Sequence, residues 1–142
     1  MSACVVDASV VVKWFVPEIH SEAARRLLDL PHTYFAPDLL FAETANTVWK
    51  KIRRNELKPE HGRRLVADIS RAAIDAVPCR LLAEDAHALA VATDRTVYDC
   101  LYLALARRLN TRMLTADDRL VASLAHVPAL SEHIQLIQTF QA

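Results

Sequence analysis

Five short apolar runs rich in β-branched residues are spread along the chain, each set off from the next by sequence of helical character. No other feature narrows the fold so far. Ala3–Asp7, Thr33–Ala36, Ile74–Cys79, Arg112–Thr115 and Ile134–Ile137 read as strands. Ser9 to about Val16, Ser21–Leu30, Asp38–Arg54, Pro59 to about Ala73, Leu82–Thr93, Tyr98–Leu109 and Asp118–Leu124 read as helices. Strands alternating with helices call for right-handed crossovers and a mostly parallel sheet, covered on both faces. Pro78 places the Ile74–Cys79 strand at an edge, because proline cannot donate to a ladder on both sides. Tyr98–Leu109 is apolar nearly all round and is expected to be buried. Trp14 and Trp49 are expected in the core, Trp49 within the apolar stripe of Asp38–Arg54.

Composition removes several functions. The 142 residues fit one domain, 1–142. A single glycine, Gly62, leaves no glycine-rich phosphate loop of either the dinucleotide or the P-loop kind. The three cysteines, Cys4, Cys79 and Cys100, are widely spaced, which argues against a disulfide framework or a zinc knuckle. The six histidines show no H-x-x-x-H pair, which disfavours zinc hydrolase chemistry. A net charge of +0 argues against a general nucleic-acid coat protein, although Lys50, Lys51, Arg53 and Arg54 cluster. No apolar run approaches the ~18 residues of a membrane span. Asp7 interrupts the first apolar run and no basic residue precedes it, so no signal peptide is expected. A reducing, cytoplasmic setting without membrane association is the expectation.

Four acids stand at element ends or in apolar surroundings: Asp7, Glu43, Asp99 and Asp117. Asp7 and Asp117 fall at the carboxyl ends of two strands, where open α/β sheets bind ligands. Each acid also has a structural reading. Asp7 either caps the following helix or meets a cation, with Ser9 the better-placed cap. Glu43 suits the first turns of a helix. Asp99 completes Thr96-x-x-Asp99, a loose capping box. Thr115-x-x-Asp118 forms another, which assigns Asp118 to the box and Asp117 to the site. Carboxylates sharing one cleft repel each other and raise each other's pKa. A hard divalent cation relieves that repulsion, and Mg²⁺ takes oxygen ligands while retaining several waters.

The stretches "VVDASVVVKWFVPE" (5–18), "LLFAETANTVWK" (39–50), "TVYDCLYLALARRL" (96–109) and "MLTADDRL" (113–120) resemble, in order and spacing, those of PIN-domain proteins. More closely, they are similar to VapC-type ribonuclease toxins of prokaryotic toxin–antitoxin pairs. The resemblance spans essentially the whole chain. It implies a three-layer α/β/α fold with a parallel sheet of four to five strands, ordered 3-2-1-4-5, flanked by about seven helices. It implies an endoribonuclease dependent on Mg²⁺ or Mn²⁺, releasing 5′-phosphate and 3′-hydroxyl ends. Asp7, Glu43, Asp99 and Asp117 match the family's acids, with Ser9 and Thr115 as supporting hydroxyls. Cys100 departs from the family pattern, where alanine is more usual.

The resulting expectation is metal-assisted hydrolysis of an RNA phosphodiester. Asp7, Asp99 and Glu43 hold the ion, and Asp117 completes its shell or orients water. Lys13, Lys50 and Arg54 are candidate phosphate contacts, each with a solvated-surface alternative. The resemblance implies a cognate antitoxin, a homodimer, and a hetero-oligomer with the antitoxin. One rival is an Mg²⁺-dependent phosphatase or phospho-acceptor domain, although Ser9 stands where its second acid would be. Another is a non-catalytic interaction module on the PIN fold.

Overall fold

The computed structural model describes residues 2–141. Its strands are β1 (Ser2–Val6), β2 (His32–Pro37), β3 (Ile74–Val77), β4 (Met113–Thr115) and β5 (Ile134–Leu136). They form one sheet in the order β3-β2-β1-β4-β5, and every neighbouring pair is parallel. β1 is central, with Val5 opposite Phe35 on one side and Met113 on the other. Val5 and Val6 are 0% exposed, which accounts for an unbroken valine run rather than an alternating one. β3 lies at an edge, as Pro78 requires.

The helices are α1 (Ala8–Phe15), α2 (Ser21–Arg26), α3 (Leu39–Arg53), α4 (Pro59–Ser70), α5 (Ala83–Thr93), α6 (Val97–Arg108), α7 (Asp118–Leu124) and α8 (Pro128–Ser131). The expected helix Ser21–Leu30 is shorter: α2 stops at Arg26 and Leu27–Asp29 tighten into a 3₁₀ turn. The short α8, opened by Pro128, was not foreseen. Cys100–Ala106 are all buried in α6, as its apolar sequence demands.

The core also explains Gly62. A Cβ built there would lie 2.5 Å from Ile52 Cδ1 and 3.1 Å from Val48 Cγ1, so glycine lets α4 close on α3. Trp14 is buried and donates from Nε1 to the Ala24 carbonyl at 2.9 Å. Trp49 corrects its expectation: it is 50% exposed, with the Arg53 guanidinium 5.0 Å from the ring centroid. The α3 face that enters the core is instead Leu40, Thr44 and Val48. Among the described residues, no helix is long and apolar enough to cross a membrane.

Candidate active site

The carboxyl end of β1 meets the carboxyl end of β4 because the two strands are neighbours. Asp7, one residue past β1, caps α1: its Oδ1 accepts the Val10 N–H at 3.2 Å and the Ser9 hydroxyl at 2.6 Å. The sequence favoured Ser9 as the cap, and the structure reverses the two. Ser9 is engaged elsewhere, since its Oγ also accepts the Ala116 N–H at 3.0 Å. One hydroxyl thus ties the β1–α1 elbow to the segment after β4. Thr115, 0% exposed, stands beside Asp7, where its hydroxyl favours the ionised carboxylate, and accepts the Asp117 N–H at 3.1 Å. Ser9 and Thr115 therefore hold both strand-end acids in place.

Asp117 is the cap of α7, with Oδ1 accepting the Arg119 and Leu120 N–H groups at 3.1 Å each. The expected Thr115-x-x-Asp118 box does not form, because the Thr115 hydroxyl serves Asp117. Asp118 turns away and accepts from Gln138 Nε2 at 3.3 Å. Asp99 lies in the first turn of α6, where Thr96 Oγ1 accepts its backbone N–H at 3.1 Å. Glu43 comes from α3. The start of that helix is pinned by Asp38, whose carboxylate accepts the Cys79 N–H at 3.0 Å beyond the end of β3.

The four acids form an electrostatic chain. Asp7, Glu43 and Asp99 are half-buried and Asp117 is exposed. Burial pushes the Asp7 carboxyl up to about 6, against hydrogen bonds from Ser9 and Val10 and the nearby Thr115 hydroxyl, and the charge of Glu43 adds to the rise. Burial likewise raises Glu43, with a further contribution from Asp99. Burial and then the neighbouring charge of Asp117 raise Asp99. Asp7 thus feels Glu43, Glu43 feels Asp99, and Asp99 feels Asp117. Among the described residues, no three His, Cys, Asp or Glu side chains are already gathered tightly enough to grip a metal ion.

Two participants escaped the sequence reading. Tyr102, 2% exposed on α6, donates its hydroxyl to Glu43 Oε1 at 2.5 Å, which opposes the rise of the Glu43 pKa. The only signal for it was its position one turn after Asp99, masked by the greasy helix around it. Arg95 precedes α6, its charge draws the Asp99 pKa down, and its Nε is buried without a hydrogen-bond partner. Lys13 corrects the phosphate-contact expectation. It is 7% exposed and pairs with Glu18 at 3.1 Å, while Lys51 holds the other Glu18 oxygen at 3.0 Å. Burial resists ionisation of Glu18, and the two lysines more than offset it, lowering its pKa. Lys50 and Arg54 remain exposed.

The family model described as PIN domain matches residues 4–127. Ribonuclease VapC3 of Pyrobaculum aerophilum is 34% identical over 118 residues, covering 82% of this chain and 90% of the relative. The chain is a PIN-domain protein of the VapC type. Ribonuclease VapC1 of Mycobacterium tuberculosis is 31% identical, with 97% of this chain and 100% of the relative covered. Among solved structures, a chain of a toxin–antitoxin complex from Klebsiella pneumoniae superposes with a TM-score of 0.67. It covers 94% of this chain and 97% of that one at 15% identity, a likeness of fold. The three-layer PIN architecture and the strand order 3-2-1-4-5 accordingly agree with the expectation.

Proposed function

We propose that the protein is an Mg²⁺-dependent endoribonuclease, with Mn²⁺ able to substitute, and the toxin of a VapBC-type pair. The observation that carries this reading is the chain of four mutually repelling carboxylates at the junction of β1, α3, α6 and β4. Three of the four sit half-buried with raised pKa values, an unfavourable arrangement unless a cation joins them. The donor set is all hard oxygen, which suits Mg²⁺. That ion is commonly held through one or two carboxylates and its own waters, so a preformed three-residue cage is not required. Asp7, Glu43 and Asp99 would hold it, with Asp117 beside them.

The bound ion supplies charge to activate a water and to stabilise the phosphoryl centre. The residues of the chain do the rest. Ser9 fixes the Asp7 carboxylate, and Thr115 favours its ionised form. Tyr102 fixes Glu43 and favours its ionised form. Asp117, anchored by its own cap, orients the attacking water in line with the departing 3′ oxygen, leaving 5′-phosphate and 3′-hydroxyl ends. Two relatives carry the name ribonuclease. The Klebsiella neighbour comes from a toxin–antitoxin complex, which supports an antitoxin partner for this chain. A homodimer and cytoplasmic action complete the proposal.

The test is cleavage of end-labelled RNA with and without Mg²⁺, comparing wild type with Asp7→Asn. Mg²⁺-dependent cleavage lost in the variant supports the reading. Equal cleavage by both proteins, or a trapped aspartyl-phosphate at Asp7 in place of cut RNA, overturns it.

A further inference from the structure

α3 carries more than Glu43. Beyond the site it presents Trp49, Lys50, Arg53 and Arg54, which together line a small open hollow at the end of the helix. Trp49 is the misplaced core residue of the sequence reading: half its surface is in solvent, and it points away from the Leu40–Thr44–Val48 row. Arg53 lies over the indole, 5.0 Å from the centroid. Lys51 is committed to Glu18, whereas Lys50, Arg53 and Arg54 form no ion pair among the described residues. Three unpaired cations round an exposed indole are a local excess in a chain of net charge +0.

Helix geometry connects this patch to the acids. At 3.6 residues per turn, Lys50 and Arg54 project within about 20° of the direction of Glu43. They stand ~10 Å and ~16 Å further along the axis. A strand whose phosphodiester reaches Glu43 can therefore follow Lys50 and Arg54 along that face, with Arg53 about 80° and Trp49 about 120° round the helix at its edge. Backbone-tracking cations interleaved with an aromatic surface are how single strands are held without reading sequence.

We propose that Trp49, Lys50, Arg53 and Arg54 form a docking platform for single-stranded RNA. Trp49 stacks a base a few nucleotides from the cut, stiffened by Arg53, and Lys50 and Arg54 take flanking phosphates. The proposal rests on the ribonuclease reading above and deepens it by placing the strand. A polyanion with flat bases uses both the charge and the indole, whereas an acidic peptide uses the charge alone.

The experiment measures binding, so that it does not depend on cleavage. Fluorescence anisotropy with a labelled single-stranded RNA of about 12 nucleotides is recorded in the Asp7→Asn background across a salt series. Adding Trp49→Ala should weaken binding about tenfold, and Trp49→Phe should restore most of it. Lys50→Ala with Arg54→Ala should flatten the slope of log affinity against log salt by about 1.4, the contribution of two single-strand phosphates. Thermal melting should be unchanged in all of them, since these side chains lie at the surface. Binding within twofold of the Asp7→Asn parent for every variant overturns the platform, as does an absence of RNA binding by that parent. Retained RNA binding with loss of an antitoxin complex assigns the surface to a protein partner and overturns it too. If the wild type cuts no RNA yet binding depends on Trp49, the platform stands and the catalytic reading falls.

Discussion

Replacing Asp7 by Asn should stabilise the metal-free protein at neutral pH while abolishing its proposed chemistry. The Asp7 carboxyl sits at about 6 in the fold, against an ordinary 3.8. At ~1.4 kcal/mol per pKa unit, that gap corresponds to about 3 kcal/mol. The direction follows from linkage. The folded state binds the Asp7 proton more tightly than the unfolded chain does. Asp7 therefore imposes no cost below pH ~4, a growing cost between ~4 and ~6, and the full cost above ~6. Asn removes the charge and keeps what the site needs. Its carbonyl oxygen still accepts from Val10 N–H and the Ser9 hydroxyl, and Asn is a good helix cap. Its amide nitrogen donates, which suits a neighbouring Glu43 carboxylate. Urea denaturation in EDTA at pH 4, 5.5, 7 and 8 should show the variant ahead by about 2–3 kcal/mol at pH 7 and 8, with the gap closing near pH 4. Millimolar Mg²⁺ should then narrow that gap, because a ligand bound only by the folded wild type stabilises it. An Asn variant less stable than wild type at pH 7 in EDTA, or a gap that ignores pH, would refute the reasoning.

Tyr102→Phe should leave the Glu43 carboxylate without its donor, lowering stability at pH 7 by about 1–2 kcal/mol in chemical denaturation. Because that hydrogen bond holds the Glu43 pKa down, its loss should move the acid limb of the activity–pH profile to higher pH; an unmoved limb would count against it. Gly62→Val should force Ile52 and Val48 aside and cost about 1–3 kcal/mol with unchanged RNA affinity; a melting temperature equal to wild type would contradict the close α3–α4 contact.

Much of the site was legible before folding because it obeys local rules. Asp7 and Asp117 end apolar strands, and Asp99 opens a greasy helix behind Thr96. These are positions where a carboxylate has a visible reason to be. The errors share a different cause. Whether Asp7 or Ser9 caps α1 depended on Ala116, more than 100 residues later, claiming the Ser9 hydroxyl. Asp117 took the cap from Asp118 because the Thr115 hydroxyl received the Asp117 N–H. Lys13 looked like a cation free for phosphate until Glu18 and Lys51 enclosed it. Trp49 counted as apolar in the helical stripe, but the side of α3 that meets the core is set by its neighbours in space.

By itself the sequence determined the class of the fold. Periodicity and the strand-like runs settle a parallel α/β arrangement, and the spacing of the acids settles which element ends carry charge. Those properties are set by nearest neighbours along the chain, so a linear reading reaches them. Tertiary structure decided which polar atoms meet. It bound Tyr102 to Glu43, coupled the acids into a chain from Asp7 to Asp117, buried Lys13 and turned Trp49 to solvent. Hydrogen bonding and burial depend on groups far apart in sequence, and only the packing of β1 beside β4 and of α6 beneath them brings those groups within reach.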